Sequence, residues 1–443
     1  MQLDQKMQFN SENRKNPSPC AAENRSHPIW GKRLIPAARG ILAFATSMVF
    51  CCATASGEDW LQFRGKGGSS SDGSQSTPLP NSFTETSNVR WKASLPAKGV
   101  SSPIVVSDRV FVTASSGSIQ DRIYVLCFDG KTGKRLWKRE YWATGRGYCH
   151  PTSANAAPTP ASDGKNIYAF FSSNDLVCLD LDGNLQWFRG LTFDYPKAAN
   201  DVGMSSSPIV AEGVVICQVE NQGDSFVAGI DTETGKSLWR VDRKKSSNWA
   251  SPAVVTGEGD RPSQVILTDR TGAIGVDLQS GKRLWEISGR TPSVPSTTVV
   301  GDHAYLSVGG TTALRFTSDS AKPTELWNKK QMLAGNASPV VHNGEIFVMN
   351  GSGAITCCDS KTGIEKWKAR TGRASHWATP VASGKLMFTF DQGGTARVLD
   401  LAREGKAVHS YKFEEQSFLG TPAISNGALY IRSNTHLMRI SGN

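Results

Sequence analysis

The sequence of 443 residues predicts an all-β fold, an eight-bladed β-propeller of four-stranded antiparallel blades. Three observations support this prediction: a motif that ends in tryptophan recurs along the chain, short apolar strand patterns separate its copies, and no amphipathic helix pattern of useful length occurs. The composition agrees, since 43 glycines and 20% charged residues are typical of a folded, turn-rich protein.

The repeated motif has the form FDGKTGKRLW at residues 128–137, and it returns as IDTETGKSLW, VDLQSGKRLW, CDSKTGIEKW and, shortened, LDLDGNLQW. In this motif we expect Asp129 to accept backbone N–H groups within a turn and Gly133 to adopt a positive φ. We expect Trp137 to pack between neighbouring blades. The aromatic residues that end the units lie 40 to 52 residues apart, a spacing typical of propellers and solenoids: Trp91, Trp137, Trp187, Trp239, Trp285, Trp327, Trp367 and Tyr411.

Each unit contains four strand patterns, for example SSPIVV, RVFVTAS, RIYVLCFD and the strand that carries the tryptophan. These strands are apolar at consecutive positions, which indicates sheets that are covered on both faces, as stacked blades would be. Two units depart from the pattern: the fifth has TSDSAKPTELW and the seventh has REGKAVHSY. We expect their blades to be the least regular.

The two ends of the repeat region complement each other. Residues 89–95 form a tryptophan strand with no three strands before it, and the last unit has three strands but no tryptophan strand. Joined, they make one complete blade, so the N-terminal strand closes the ring and no sheet edge stays exposed.

The first 57 residues differ from the rest and predict a signal peptide. A basic patch precedes an apolar run that is too short to span a membrane and ends in Ala53-Thr54-Ala55, an A-x-A cleavage pattern. We therefore expect cleavage near Ala55 or Gly57, with an uncleaved anchor as the alternative. The predicted organisation is a targeting segment (1–57), an N-terminal extension (58–88) and the propeller (89–443). The mature chain is expected to be exported to the periplasm or cell envelope, with no transmembrane span.

Charge and cysteine content exclude some classes of protein. The net charge falls from +10 to +6 without residues 1–57, because that segment carries seven basic and three acidic residues. The remaining basic residues are scattered, so nucleic-acid binding is not expected. Of nine cysteines six remain, and none has the spacing of a metal site. Cys127, Cys178 and Cys357 each stand two residues before the repeat aspartate, which favours buried strand positions.

Repeats of the form D-x-x-T-G-K-x-x-W resemble those of the pyrroloquinoline quinone (PQQ)-type eight-bladed propellers. That family includes quinoprotein alcohol dehydrogenases and the lipoprotein of the outer-membrane β-barrel assembly machinery. The resemblance covers roughly residues 89–443, and WLQFRG at Trp60–Gly65 is similar to exported bacterial members. For the dehydrogenases it implies a disulfide between adjacent cysteines over the cofactor, a Ca²⁺ held by carboxylate and amide groups, and an aspartate base. Here the adjacent pair, Cys357 and Cys358, ends a third strand instead of lying in a loop that faces a cofactor, so we expect ordinary strand cysteines, one on each sheet face.

Ligands of propellers gather over the loops that lead into the innermost strands. In this chain those loops contain residues that could hold a flat, anionic, aromatic ligand by stacking and charge-assisted hydrogen bonds. The candidates for cofactor binding are Arg146, His150, Trp249, Arg373, His376 and Trp377, with Asn155, Asn248 and Asn336 in the same loops. The alternative is structural: the tryptophans fill the channel and the histidines satisfy loop carbonyl groups. No catalytic or metal-binding residue is assigned.

The sequence therefore favours a monomeric, exported and non-catalytic propeller that acts as a binding or assembly scaffold, with an envelope protein as its partner. Two alternatives stay open. One is a PQQ-dependent dehydrogenase with Ca²⁺ that oxidises an alcohol or sugar, and the other is a propeller that binds polysaccharide through the same aromatic loops.

Overall fold

The computed structural model describes residues 59–71, 78–198, 202–372 and 374–442. These residues contain 32 strands in eight four-stranded antiparallel sheets, which confirms the predicted architecture. Helical structure in the described residues is limited to one helical turn, α1 (Leu191–Asp194), and two 3₁₀ turns, Lys66–Gly68 and Leu401–Arg403. No helix in the described part of the chain is both long and apolar enough to cross a membrane. The predicted signal peptide lies outside these residues.

In blades 1 to 7 the strands pair in the order in which they follow along the chain, whereas blade 8 is completed by β1. Blade 1 contains β2 (Ile104–Val106), β3 (Arg109–Ser116), β4 (Arg122–Asp129) and β5 (Arg135–Trp142); blade 2, β6 (Ala161–Ser162), β7 (Asn166–Phe170), β8 (Asp175–Asp180) and β9 (Leu185–Gly190); blade 3, β10 (Ile209–Ala211), β11 (Val214–Val219), β12 (Phe226–Asp231) and β13 (Ser237–Asp242); blade 4, β14 (Ala253–Val255), β15 (Gln264–Asp269), β16 (Gly272–Asp277) and β17 (Arg283–Ser288). Blade 5 contains β18 (Thr298–Val300), β19 (His303–Leu306), β20 (Thr311–Arg315) and β21 (Thr324–Lys329); blade 6, β22 (Val340–His342), β23 (Glu345–Met349), β24 (Ala354–Asp359) and β25 (Glu365–Arg370); blade 7, β26 (Val381–Ser383), β27 (Leu386–Phe390), β28 (Thr395–Asp400) and β29 (Lys406–Lys412); blade 8, β30 (Ala423–Ser425), β31 (Ala428–Arg432), β32 (His436–Ser441) and β1 (Val89–Ser94).

Blade 8 closes the ring as predicted. Strand β1 pairs antiparallel with β32, so that Lys92 stands opposite Met438 and Ser94 opposite His436. The first strands of neighbouring blades contact one another, as β2 does with β30 and β10 with β14, and they therefore line the centre. The loops before each first strand and the loops between second and third strands lie at one end of the blades, which we call the mouth face. The T-G-K turns lie on the opposite face.

The T-G-K turn has the predicted geometry. The Asp129 carboxylate accepts the backbone N–H groups of Lys131 and Thr132 at 3.1 and 2.7 Å and the Thr132 hydroxyl at 2.8 Å. Gly133 follows with a φ of 71°, a conformation that side chains with a Cβ resist. These hydrogen bonds to the ionised form hold the pKa of Asp129 below its ordinary value.

The tryptophan of one blade packs on the T-G-K turn of the next blade, which confirms its predicted place between blades. A Cβ on Gly133 would lie 2.6 Å from the Trp91 ring, and the Trp91 Nε1–H donates to the Gly130 carbonyl in the same turn at 3.0 Å. Five more tryptophans pack in this way: Trp137 on Gly183, Trp187 on Gly235, Trp239 on Gly281, Trp327 on Gly363 and Trp367 on Gly405. The motif glycine is thus required twice, for its φ and for the absence of a side chain under the ring.

Trp285 is the exception, because blade 5 has TSDSAKPTELW in place of the turn on which it would pack. Its Nε1–H donates instead to the Gln264 side chain at 2.7 Å. The departure of blade 5 is thus confined to this turn, since β20 and β21 pair with the same bulge as the corresponding strands of the other blades.

The assignment of Tyr411 to the tryptophan position of blade 7 is wrong. In blade 1, Trp137 stands opposite Cys127 of the third strand. In blade 7 the third-strand residue that corresponds to Cys127 is Val398, and it stands opposite His409, which therefore holds the tryptophan position. The loop between β28 and β29 contains a 3₁₀ turn at Leu401–Arg403. This turn shifts the tryptophan position of the blade relative to the repeat motif in the sequence. Tyr411 is aromatic but lies two residues beyond the position that is equivalent to the motif tryptophan.

The buried side chains form separate clusters between neighbouring blades. Val125 and Cys127 of β4 pack with residues of blade 2, whereas Leu126 packs with residues of blade 8. This arrangement confirms that each sheet is covered on both faces. Cys127, Cys178 and Cys357 are fully buried in these clusters, as predicted, and the six cysteines at positions 127 to 358 are free.

The N-terminal segment of residues 59–71 runs along the inner strands. Trp60 exchanges two backbone hydrogen bonds with Val105 of blade 1. The carbonyl of Ser69 accepts from Val341 of blade 6, and that of Ser70 from Ala382 of blade 7, at 3.1 and 2.9 Å. The segment therefore connects blades on both sides of the ring and occupies part of the central channel, a role that the sequence did not predict.

Arg64 anchors this segment. Its side chain is almost fully buried and donates to the Thr297 carbonyl at 2.6 Å, the Thr298 hydroxyl at 2.9 Å and the Pro339 carbonyl at 3.3 Å. Burial lowers the pKa of the guanidinium to about 9. Because its acceptors belong to blades 5 and 6, Arg64 joins the segment to the strands opposite Trp60.

Candidate functional site

Exposed apolar and aromatic side chains form a surface on the mouth face of blades 1 to 3. We call it the mouth-face patch; its members are Ile119, Trp142, Tyr148, Phe193 and Val202. Trp142 is 61% exposed and Phe193 is 78% exposed, although large apolar groups usually lie inside a monomer.

The loop that follows β5 holds the members of the patch together. A Cβ on Gly147 would lie 2.5 Å from the Ile119 carbonyl, and one on Gly145 would lie 2.8 Å from the Thr192 side chain, next to Phe193. The backbone N–H of His150 donates to the Val202 carbonyl at 2.9 Å. The exposed side chains of the patch are therefore carried by one loop and the segments that contact it.

Two arginines lie over aromatic rings of the patch. The guanidinium carbon of Arg122 is 4.6 Å from the centre of the Trp142 ring, and that of Arg146 is 5.4 Å from the centre of the Tyr148 ring. Both distances are within the range of cation–π attraction. Arg122 also pairs with Glu140 at 3.2 Å. Arg146 is the one predicted residue that belongs to the patch.

The structure brings two other predicted residues to a single segment. His150 bonds through its backbone to Val202, and the Trp249 Nε1–H donates to the carbonyl of Gly203 at 2.9 Å. The His150 imidazole is exposed and shares a hydrogen bond of 2.8 Å with the Thr152 hydroxyl. Trp249 is half-buried, and its indole N–H is already hydrogen-bonded within the protein.

His376 and Trp377 belong to a different cluster, in the loop before β26. His376 is buried, with its Nε2 3.1 Å from the Thr371 hydroxyl, and burial lowers the pKa of its imidazole while nearby Asp391 opposes the shift. Trp377 is 42% exposed. Arg373 lies outside the residues that the structure describes. The five described candidates therefore fall into two groups, with Arg146, His150 and Trp249 around the loop after β5 and the segment of Val202 and Gly203, and His376 and Trp377 before β26.

The three asparagines have different roles. Asn155 is fully buried and holds two loops together, since its Oδ1 accepts from the Ser173 N–H at 2.8 Å and its Nδ2 donates to the Gln120 carbonyl at 3.0 Å. Asn248 is also buried and donates to the Thr268 carbonyl at 2.7 Å. Asn336 is partly buried.

Sequence reasoning missed a buried charged network beside Trp249. Arg243 donates to Glu220 at 2.6 Å and pairs with Asp269 at 3.3 Å, and each of these groups lies at the mouth end of blade 3 or 4. Burial raises the pKa of the Glu220 carboxyl, although Arg243 and a hydrogen bond from Asn248 oppose it. The three residues are 20 to 50 positions apart, so only the register of the blades brings them together.

The adjacent cysteines that the resemblance implies for a PQQ site do not lie over the mouth face. Cys357 and Cys358 are fully buried in β24, close to a T-G-K turn and away from the mouth face, and they pack into different inter-blade clusters. They are thus ordinary strand cysteines, as predicted. Within the described residues no group of three or more His, Cys, Asp or Glu side chains could hold a metal ion. The cysteine pair therefore does not fit the disulfide that the resemblance implies over PQQ.

Comparison with known proteins agrees with the blade geometry. A family model described as outer membrane protein assembly factor BamB matches residues 81–222, 197–308 and 317–442. The chain is 26% identical over 169 residues to a polyvinylalcohol dehydrogenase of a Pseudomonas species, and the match covers 34% of this chain and only 24% of that enzyme.

Two solved structures share the fold. BamB from Moraxella catarrhalis superposes with a TM-score of 0.58 at 13% identity, covering 80% of this chain and 97% of BamB. A europium-containing methanol dehydrogenase superposes with a TM-score of 0.60 at 12% identity, covering 84% of this chain and 89% of the enzyme. At these identities the likeness concerns the fold alone. The family match spans most of the chain, and the protein therefore belongs to the PQQ-like β-propeller family whose model is described as outer membrane protein assembly factor BamB.

Proposed function

We propose that this protein is an exported, non-catalytic propeller that acts as a binding scaffold in the bacterial cell envelope. The observation that carries the proposal is the mouth-face patch, where Trp142, Tyr148 and Phe193 are all exposed on the same end of the blades. A concentration of exposed apolar side chains is typical of an interaction site. Aromatic and arginine side chains are also the residues that contribute most to binding at protein interfaces.

The arrangement of the channel supports the same proposal. The segment of residues 59–71 bonds to the inner strands of blades 1, 6 and 7 and places Arg64 among the strands of blades 5 and 6. Space in the channel is thus taken up by the chain itself. A partner would then bind on the outside of the mouth face, where exposed aromatic side chains and arginines are typical of protein-binding surfaces.

Export is part of the proposal. Residues 1–57 act as a signal peptide that is removed near Ala55 or Gly57, as their A-x-A pattern indicates. Expression of the full chain in a bacterial host followed by mass analysis of the periplasmic protein tests this. A mature N-terminus between residues 54 and 59 is expected; a full-length product held in the membrane would contradict the cleavage.

The scaffold proposal is tested by variants of the patch. The triple substitution Trp142→Ser, Tyr148→Ser and Phe193→Ser should abolish co-purification of a defined envelope protein with the tagged propeller. The matched control, Leu136→Ser, Leu238→Ser and Ile364→Ser, removes exposed apolar groups from two outer strands and one T-G-K turn, away from the mouth, and should leave co-purification unchanged. Equal loss in both sets, or no loss in the first, would contradict the proposal, and retention on a polysaccharide resin would favour the carbohydrate alternative.

A second candidate is a PQQ-dependent oxidoreductase, which is supported by the sequence similarity to polyvinylalcohol dehydrogenase over 169 residues. In that case Trp249 or Trp377 would stack on the quinone. Calorimetric titration of residues 58–443 with PQQ, with and without Ca²⁺, decides between the candidates. Saturable, calcium-dependent binding that alanine at Trp249 or Trp377 weakens would favour the enzyme, whereas no binding heat would favour the scaffold.

A further inference from the structure

Exposed cations follow one another along the mouth face of blades 4 to 6. We call them the cationic crescent; its members are Lys244, Arg270, Arg290 and Lys330. Three of them stand in the loops before the first strands β14, β18 and β22, and Arg270 stands in the loop between β15 and β16. All four side chains therefore belong to the same end of the blades.

The carboxylates of the neighbouring segments are already paired with other cations. Asp242 is 2.9 Å from Arg240, and Asp269 is 3.3 Å from Arg243. Within the described residues, no member of the crescent forms an ion pair. Exposed charges of one sign on adjacent loops produce a potential that attracts partners of the opposite sign.

Hydrogen bonds place the first two members side by side. The Lys244 ammonium donates to the hydroxyl of Thr271, the residue after Arg270, at 2.7 Å. The Arg270 Nε–H donates to the Ser247 carbonyl at 3.2 Å, and the Arg270 carbonyl accepts from the N–H of Thr291 at 3.3 Å. The loop that carries Arg270 thus contacts the loops before β14 and β18.

The loop between β19 and β20 continues the crescent towards blade 6. The N–H of Gly309 donates to the Arg290 carbonyl at 2.9 Å. A Cβ on Gly310 would lie 2.6 Å from the Cα of Lys330. The two glycines therefore lie between Arg290 and Lys330, and no side chain of this loop separates them.

A groove of about 310 Å³ opens beside the end of the crescent, where the loop before β22 meets the loop between β23 and β24. One wall is formed by residues 331–334, which follow Lys330, and the other by residues 350–352 with Val348 and Thr356. Leu333 is 61% exposed in this wall, and no charged residue lines the groove. Since a cavity of about 150 Å³ accommodates benzene, the groove has room for an apolar side chain.

We propose that the cationic crescent and this groove together bind an extended acidic segment of a partner protein, one apolar side chain of which contacts Leu333. Charge complementarity selects the segment, and the apolar contact fixes its register. The surface lies on blades 4 to 6, whereas the mouth-face patch lies on blades 1 to 3. The inference does not rest on the scaffold proposal.

An extended segment fits this surface better than other anions do. Single exposed ion pairs contribute little, so several contacts along one chain are needed for stable binding. The crescent supplies such contacts on successive loops. A concave groove accepts a side chain of that segment, whereas a lipid surface would touch only its rim.

The test uses the protein purified after export and measures binding by fluorescence anisotropy. The probe is a labelled peptide of about twelve residues, which spans about 40 Å when extended and has aspartates and glutamates around one central leucine. It should bind at about 50 mM salt and lose most of its affinity at about 500 mM. A neutral peptide with asparagine and glutamine in place of the acids should not bind, and equal binding of both peptides would overturn the proposal.

Charge-removing variants assign the crescent. Arg270→Gln, Arg290→Gln and Lys330→Gln together should weaken binding at least about tenfold, because exposed ion pairs contribute roughly twofold to fivefold each. The matched control, Lys134→Gln, Lys236→Gln and Lys282→Gln, removes the same charge from T-G-K turns on the opposite face. It should change the affinity less than about twofold, since salt screens distant charges. Equal losses in the two sets would contradict the assignment.

A second variant tests the groove. Replacement of the peptide leucine by serine should weaken binding by the unmodified protein about fivefold or more. Leu333→Ser, a change at an exposed position, should remove this preference and leave the affinity for the serine peptide unchanged. If the variant weakens both peptides equally, or if the unmodified protein binds both equally, the groove does not hold the apolar side chain.

Two further measurements separate this proposal from its neighbours. Vesicles of phosphatidylglycerol that bind through the crescent, without binding of the peptide, would replace the acidic segment by a lipid surface and so contradict the proposal. The variant with Trp142→Ser, Tyr148→Ser and Phe193→Ser should bind the peptide as the unmodified protein does. Loss of peptide binding in that variant would mean that the peptide occupies the mouth-face patch instead.

Discussion

At the scale of the residue, the clearest relation is that between the motif glycine and the tryptophan of the preceding blade. Gly235 has a φ of 68°, and a Cβ there would lie 2.7 Å from the Trp187 ring. Gly344 has a similar φ of 76°, but nothing lies within 4 Å of the position of its Cβ. Gly344 is therefore required only for its backbone conformation, whereas Gly235 is required both for its conformation and for the packing of the tryptophan ring.

Substitution of these glycines by alanine should have unequal effects. Gly344→Ala should cost about 1–2 kcal/mol, the price of a side chain in the left-handed region. Gly235→Ala should cost a further 1–3 kcal/mol, because the ring of Trp187 has to move. Urea denaturation of both variants measures the difference in the free energy of unfolding; equal losses would show that the ring does not depend on the glycine.

His376 should give the protein a pH-dependent stability. Burial lowers the pKa of its imidazole from the ordinary 6.5, so the folded state favours the neutral ring. The resulting stability is present above pH 6.5 and is lost as the pH falls through that value towards the folded pKa. Between pH 8 and 5, His376→Gln should make the decline in the free energy of unfolding less steep, while His150→Gln, a substitution at an exposed position, is the control and should follow the unmodified protein; equal profiles for all three proteins would contradict the assignment.

At the scale of the element, the unit of stability is the contact between an outer strand and the next turn. Trp239 is nearly buried, packs on Gly281 and donates to the Leu278 carbonyl at 2.9 Å. Because each blade contacts only its neighbours, the loss of one such contact should weaken a single interface.

Trp239→Ala should lower the free energy of unfolding by about 3–5 kcal/mol, as large-to-small substitutions in a core do. Trp142→Ala, at an exposed position that contacts Arg122, should change it by about 1 kcal/mol or less. Denaturation monitored by circular dichroism compares the two. Similar losses would contradict the view that the motif tryptophan holds the blades together.

The repeat predicted the strands, the blade number and the closure, because each depends on local pattern and on the spacing of copies. It failed at Tyr411, where a longer loop places His409 in the tryptophan position. His409 then contacts Phe83 of the N-terminal extension, with a hydrogen bond of 2.7 Å to its carbonyl. The network of Glu220, Arg243 and Asp269 was also beyond prediction, since the contacts depend on how loops of two blades meet.

At the scale of the whole molecule, the N-terminal extension acts as part of the propeller. Trp60 is 3% exposed, and the segment of residues 59–71 bonds to blades on opposite sides of the ring. Removal of this segment should therefore eliminate its contacts with several blades at once and lower the stability of the propeller.

A chain that begins at residue 78 should have a Tm at least about 5 °C below that of a chain that begins at residue 58. The lost backbone hydrogen bonds contribute roughly 1 kcal/mol each and the burial of Trp60 roughly 2–3 kcal/mol, and each kcal/mol corresponds to about 2 °C in a large domain. Differential scanning calorimetry measures the change. An unchanged Tm would mean that the ring is stable without the segment.

The central claim, that the mouth face binds a protein of the envelope, is tested most directly by site-specific photo-crosslinking in living cells. A photoreactive phenylalanine analogue replaces Trp142 in one strain and Lys134, on the opposite face, in another. The account predicts a single defined protein adduct from position 142 and none from position 134. Adducts of equal yield at both positions, or none at position 142 in cells that export the protein, would contradict it.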